Sequence, residues 1–100
     1  SNGQEDHVSM GATACWNVLQ ATNRLSEVLA CEFIVACQAL EFNDVEPSDF
    51  IVAMKQRIRS VVEPLDGDRS TSSDIIKVAN ELLESKWLAR VEAEVGRLPR

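Results

Sequence analysis

The sequence predicts an all-α protein in which one long helix is followed by a shorter helical hairpin. Residues 8–41 contain no proline and only one glycine, which allows an uninterrupted helix there. Apolar residues recur at helical spacing in the rest of the chain, and no segment keeps the strict alternation of a strand. The length of 100 residues allows one small domain at most.

The long helix predicted over residues 8–41 changes character halfway along. Its first half is amphipathic, whereas residues 28–40 contain only two polar side chains, Glu32 and Gln38. A helix that is apolar nearly all round must be covered nearly all round, and this one is too short and too polar to span a bilayer. Two further helices could hardly cover it. We therefore expect other copies of the chain, or a further part of the protein, to complete an oligomeric helical bundle.

Isolated polar side chains in apolar helices need hydrogen-bond partners when they are buried. We therefore expect Glu32 and Gln38 to form hydrogen bonds between helices, with a catalytic role as the less favoured alternative. The basic side chains of Lys55, Arg57 and Arg59 are interpreted as a solvated helix face, with an anion site as the alternative.

The two shorter helices are predicted over residues 47–64 and 73–95. Pro47 suits a first helical turn, and Pro64 ends the first of these helices. Residues 65–73 are rich in turn-forming side chains and separate the two helices.

The start of the second short helix carries a capping pattern. Thr71 followed three residues later by Asp74 predicts a capping box, with Ser72 and Ser73 as competing caps. Residues 87–95 either extend this helix or form a short fourth one, and Gly96 predicts its end.

The charge balance excludes several classes of partner. The chain has 16 acidic and 10 basic residues, with a formal net charge of −6. Affinity for a phosphate backbone comes from Lys and Arg, so we expect no nucleic-acid partner. Attraction to an anionic membrane is disfavoured for the same reason.

The cysteines indicate a reducing compartment. Cys15, Cys31 and Cys37 are odd in number and form no C-x-x-C pair, so we interpret them as reduced thiols in a cytoplasmic protein. A zinc site would require all three cysteines and His7, the only histidine, to converge. We therefore predict no metal site.

Residues 1–7 form a polar segment, predicted to be a loop, just before the long helix. Neighbouring residues do not share a helix face, so the run Gln4, Glu5, Asp6 and His7 does not have the spacing of a metal site. From periodicity alone, the run is interpreted as a helix cap with acidic groups at the positive end of the dipole.

The string QEDHVSMG over residues 4–11 closely resembles the motif of histidine ammonia-lyases, within the aromatic amino acid lyase family. The similarity weakens after residue 83, and all of it corresponds to the family's C-terminal portion. It continues through residues 29–32, 36–40, 62–69, 74–75 and 78–83.

The resemblance implies a specific chemistry. Family members eliminate ammonia from L-histidine, phenylalanine or tyrosine with an electrophilic methylidene-imidazolone group (MIO), which forms from an internal Ala-Ser-Gly. They are homotetramers of long helices in which each active site is built from more than one subunit. The implied partners are therefore further copies of the chain and a small amino acid substrate.

The resemblance also assigns roles to residues 4–7. Gln4 and Glu5 match residues that line the active site in the family. Gln4 is expected to lie near the prosthetic group. Glu5 is the candidate catalytic residue and is expected to face the imidazole or ammonium group of the substrate. The phenylalanine-type enzymes carry an Asn-Gln-Asp version, so the carboxylate of Glu5 favours histidine as substrate. Asp6 and His7 match positions expected to support the loop structurally.

Two departures from the family qualify the prediction. The sequence contains no Ala-Ser-Gly and no tyrosine, the residue that serves the family as general base. We therefore predict that the chain is a C-terminal fragment, that MIO forms outside it, and that it is inactive alone. The alternatives are a standalone helical oligomerisation or interaction module derived from the family, or part of a tyrosine or phenylalanine ammonia-lyase or an aminomutase. The Glu5-type motif favours a lyase over a mutase.

Overall fold

The computed structural model of the chain describes residues 10–84 and 86–97, and these residues are helical and contain no strand, which confirms the predicted all-α class. Their helices, in chain order, are α1 (Gly11–Glu41), α2 (Asp49–Arg59), α3 (Ser72–Leu83) and α4 (Trp87–Val95).

The long helix α1 sets the shape of the molecule. Its 31 residues span about 46 Å at 1.5 Å per residue. The radius of gyration is 19.3 Å, compared with about 13 Å for a compact domain of this length. The chain is therefore elongated, with principal extents of 71 × 36 × 18 Å.

The helix α2 is shorter than the predicted segment 47–64, because it begins after a cap at Ser48 and ends at Arg59. The Ser48 hydroxyl accepts a hydrogen bond from the backbone N–H of Ile51 at 3.4 Å, which caps the first turn. The helix ends at Arg59, before Pro64, because the amides of Val61 and Val62 both donate to the carbonyl of Ile58 and close the last turn.

The start of α3 differs from the predicted capping box. Thr71 occupies the N-cap position but makes no side-chain capping bond. The carboxylate of Asp74 forms an ion pair with Arg69 instead of reaching back to the Thr71 backbone. The predicted capping box is therefore wrong, because Arg69 takes the carboxylate that the box requires.

The structure decides between the two alternatives for residues 87–95. Glu84 is extended, with φ −68° and ψ 125°, so α3 stops at Leu83 and α4 is a separate helix. Gly96 has φ +91°, a left-handed conformation that ends α4 as predicted and that few other residues adopt without strain.

The helices pair in an order that does not follow the chain: α3 packs mainly on α1, and α2 packs mainly on α4. The two pairs are joined where the ring of Phe33 on α1 meets that of Trp87 on α4, with centroids 5.5 Å apart and an angle of 65° between the planes. The buried apolar core consists of Ala30, Cys37, Ala53, Ile58, Val62, Val78, Ala79, Trp87 and Val91.

Much of α1 has no covering element within the described part of the chain. Trp16, Val18, Val28 and Val35 are each at least 55% exposed. Residues 10–84 and 86–97 therefore leave much of the long helix uncovered, in line with the apolar run, and what covers that helix stays a prediction. None of the described helices combines the length and the hydropathy that a membrane crossing needs.

Two isoleucines test this core. Ile58 is fully buried, so Ile58→Ala should lower the free energy of unfolding by about 2–5 kcal/mol through lost burial and a cavity. Ile76 is 59% exposed, and Ile76→Ala should change that free energy by no more than about 0.5 kcal/mol. Urea unfolding followed by circular dichroism measures both, and equal effects would contradict the core assignment.

Candidate functional site

The residues that the sequence nominates for chemistry precede α1 directly along the chain. Gln4, Glu5, Asp6 and His7 lie outside the residues that the structure describes. Their predicted roles therefore stay predictions, and the geometry of the described part concerns the scaffold that follows them.

An apolar groove of about 460 Å³ opens on the surface of the described chain. It lies between the second half of α1, the end of α2, the connection from α2 to α3, and the start of α3. Its apolar lining includes Ile34, Val35, Val62, Leu65 and Ile75.

Gln38 joins α1 to the wall of this groove. Its side-chain oxygen accepts a hydrogen bond from the backbone N–H of Leu65 at 2.9 Å, and its amide nitrogen donates to the Leu65 carbonyl at 3.5 Å. Arg59 donates to the same side-chain oxygen at 3.5 Å. Gln38 therefore makes bonds between elements, as expected, although its main partner is a loop backbone.

Glu32 behaves differently from Gln38. It is exposed and makes no hydrogen bond or ion pair with any other residue that the structure describes. The prediction of an inter-helix hydrogen bond for Glu32 is therefore wrong within this chain, because no described element lies against that side of α1.

The basic cluster on α2 is not a solvated face. Lys55 Nζ lies 3.1 Å from Glu41 Oε1, and Arg59 Nη2 lies 3.3 Å from the same oxygen. Arg57 Nη2 contacts Glu94 Oε1 at 2.8 Å. The interpretation as a solvated face was wrong, because α4 and the C-terminal end of α1 each bring a carboxylate to these cations. None of the three basic side chains is therefore left as an open anion site.

A second charged contact ties the connection between α2 and α3 to α3. Arg69 pairs with the buried carboxylate of Asp74 and donates to the carbonyl of Glu63 at 3.0 Å. Sequence reasoning missed Arg69 and Glu41 as partners. The only sequence feature that could have indicated the Arg69 contact is its position in a turn, five residues before Asp74 in the first turn of α3.

Two ionisable groups are shifted by these surroundings. Burial raises the pKa of the Cys37 thiol, opposed by the nearby charges of Arg59 and Lys55. The hydrogen bond from Lys55 is the largest cause of a lowered pKa at the carboxyl of Glu41. Both shifts follow from the packing of α2 on the end of α1.

The groove offers little acid–base chemistry. Both of its arginines pair with carboxylates, Arg69 with Asp74 and Arg59 with Glu41, and no group of three His, Cys, Asp or Glu among residues 10–84 and 86–97 could hold a metal ion. All three cysteines are free, with Cys15 and Cys31 exposed and Cys37 buried. The described residues therefore form a helical packing scaffold rather than a complete catalytic centre.

Such a scaffold is typical of a segment of a larger helical-bundle protein. The model of the aromatic amino acid lyase family matches residues 1–60, which include Gln4, Glu5, Asp6 and His7. The chain belongs to the aromatic amino acid lyase family.

Curated relatives agree with this assignment. The chain is 40% identical over 90 residues to a probable histidine ammonia-lyase of Thermoplasma volcanium, covering 85% of the chain and 18% of that protein. It is 42% identical over 101 residues to the histidine ammonia-lyase of Symbiobacterium thermophilum, covering 98% of the chain and 20% of that protein. The enzyme of Legionella pneumophila is 36% identical over 88 residues, covering 87% of the chain and 17% of the enzyme.

The chain therefore spans about a fifth of the length of these relatives. No solved structure was found to match it.

The ion pairs of Glu41 predict a pH dependence of stability. A lowered pKa means that the ionised carboxylate stabilises the folded chain, so this contribution is complete above the ordinary value of 4.5 and is lost as the pH falls through the folded-state pKa. The stability difference between wild type and Glu41→Gln should thus be present at neutral pH and shrink below pH 4.5.

Denaturant unfolding at a series of pH values measures this difference. Glu32→Gln is the matched control, because it removes the same charge from the same helix at an exposed position without an ion pair. A difference for Glu41→Gln that stays constant with pH would refute the assignment.

Proposed function

We propose that this chain is part of an ammonia-lyase that eliminates ammonia from L-histidine to give urocanate. The observation that carries the proposal is the QEDHVSM string of residues 4–10, which lies inside the range matched by the family model. The relatives named above support histidine as the substrate, since each is described as a histidine ammonia-lyase or a probable one.

In this proposal Glu5 is the catalytic residue of the segment. A carboxylate suits a substrate that carries an imidazole and an ammonium group, because both can donate charge-assisted hydrogen bonds to it. Gln4 would bind beside the prosthetic group through its side-chain amide, which both donates and accepts hydrogen bonds. Asp6 and His7 would hold the loop that presents these two side chains.

The MIO electrophile of the proposed enzyme has no source in this chain. It requires an Ala-Ser-Gly, which the sequence lacks, as it also lacks a tyrosine to act as base. The groove does not suit it either, because its lining is mostly apolar and both of its arginines are already paired with carboxylates. We therefore assign the electrophile to another part of the complete enzyme.

The described helices supply the second part of the proposal. The exposed apolar face of α1 would pack in the interior of a homo-oligomeric helical bundle, a tetramer in the complete enzyme. Free cysteines fit a cytoplasmic location. A standalone oligomerisation module is the second candidate, favoured by the same uncovered face.

The first test separates the chain from the complete enzyme. Incubated with L-histidine, the chain alone should form no urocanate above the uncatalysed background, because it lacks the electrophile and the tyrosine. Ultraviolet absorbance of urocanate measures the reaction. Steady formation that scales with chain concentration would contradict the proposal.

The second test removes the proposed catalytic carboxylate. In the complete lyase that contains this segment, Glu5→Ala should lower turnover of histidine by orders of magnitude, since it deletes the group that faces the substrate. Glu46→Ala, at an exposed position outside the helices, is the control and should keep wild-type turnover.

Sedimentation should give the same oligomer for the wild-type enzyme and both variants, so that a loss of activity reports chemistry rather than assembly. Full activity of Glu5→Ala would remove Glu5 from the site. Histidine turnover by the wild-type protein is the prior requirement, and its absence would favour the standalone module.

A further inference from the structure

The connection between α2 and α3, residues 60–71 and here called the strap, forms one wall of the apolar groove. Its lining residues are Val62, Glu63, Leu65, Arg69 and Thr71. The opposite wall belongs to α1. The position of the strap therefore sets how open the groove is.

The two helices that flank the strap do not hold it in place by packing on each other. The helix α2 packs mainly on α4, and α3 packs mainly on α1. Most of the strap is exposed, Leu65 at 42%. Val62, at the start of the strap, is 3% exposed and anchors that end in the core. The position of the exposed part that follows, residues 63–71, against α1 must therefore come from specific contacts rather than from burial.

The first contact is the pairing of the Gln38 side chain with the backbone of Leu65. The amide group of Gln38 mimics a peptide group, accepting from the N–H at 2.9 Å and donating to the carbonyl at 3.5 Å. This pairing joins residues 27 positions apart and fixes the middle of the strap to α1.

The second contact is the side chain of Arg69, which works within the strap and toward α3. It bonds the carbonyl of Glu63 at 3.0 Å and pairs with the buried carboxylate of Asp74. The strap is thereby folded back on itself between Glu63 and Arg69. The pair with Asp74 also ties the end of the strap to α3, so the pairing of Gln38 with Leu65 is what joins the middle of the exposed part to α1.

We propose that the exposed part of the strap, held at one end by buried Val62 and at the other by the Arg69–Asp74 pair, is a latched segment that opens and closes the groove, with Gln38 as the latch. When the Gln38–Leu65 pairing breaks, this part moves away from α1 as one body between the two anchors, because the bond from Arg69 to the Glu63 carbonyl keeps its shape. The proposal concerns the fold of this chain and is independent of the proposed lyase function.

Amide hydrogen exchange of the full chain, followed residue by residue by NMR, tests the latch. Gln38→Met keeps the side-chain length but removes both polar partners of Leu65, so the Leu65 amide should exchange about tenfold faster, the effect of losing an ordinary hydrogen bond. Gln38→Glu is the intermediate variant, because its carboxylate still accepts from the Leu65 N–H but can no longer donate to the Leu65 carbonyl, so exchange should be faster than in the wild type and slower than in Gln38→Met.

The amides of Val78 and Ala79 in the core of α3 serve as the internal reference. Their exchange should not change in Gln38→Met. Wild-type exchange at Leu65 in that variant would overturn the proposal. So would equal acceleration at Leu65, Val78 and Ala79, because that result indicates global unfolding.

A second variant covers the case in which Gln38→Met does not fold. Arg69→Lys keeps a positive charge beside Asp74 but removes the second guanidinium nitrogen, the one that donates to the Glu63 carbonyl. Exchange should then accelerate across the strap and leave the α3 core unchanged. Wild-type exchange of the strap in Arg69→Lys would overturn its behaviour as one body.

Discussion

The apolar surface of α1 exceeds what three short helices can cover. The elongated shape of the molecule and the exposed apolar side chains of α1 both follow from this excess. The helix is 31 residues long, whereas α2, α3 and α4 have 11, 12 and 9 residues. α3 lies along only part of α1, so large side chains such as Trp16 and Val35 stay in water. Hydrophobic burial favours their removal from water by roughly 1.5–3 kcal/mol each. A surface of this kind is typical of a helix that belongs to a larger assembly.

Polar contacts, rather than a large core, position the elements at the far end of α1. Glu41 accepts from both Lys55 and Arg59, and Arg59 also reaches Gln38. These groups lie at the corner where α1, α2 and the strap meet. Half-buried pairs of this kind contribute more to the geometry of a corner than to its stability, because the desolvation of the charges offsets much of their attraction.

The division between scaffold and chemistry is clear in this chain. The described residues supply packing surfaces and an apolar groove, while we propose that residues 4–10, within the range matched by the family model, carry the side chains that act on a histidine substrate. Because the chain spans about a fifth of its relatives, the chemistry we propose is a property of a larger protein. The strap, by contrast, belongs to this chain and can be studied in it directly.

The sequence by itself determined that the chain is helical, roughly where its helices lie, and that α1 requires cover. Prolines and glycines act through their neighbours along the chain, so the separation of α1, α2 and α3 and the end of α4 at Gly96 were predictable. The end of α2 at Arg59, five residues before Pro64, was not. Residues 28–40 already indicated a helix that needs outside cover. The motif over residues 4–10 was also sufficient to indicate the family, which the family model confirms.

Only the tertiary structure decided which polar side chains find partners. Glu32 and Gln38 lie in the same apolar run, yet only Gln38 faces the strap. Arg57 pairs with Glu94, 37 positions away, and helical periodicity carries no information on a contact of that separation. Pattern along a helix specifies which side is apolar. Which element comes to lie against that side depends on the packing of the whole chain.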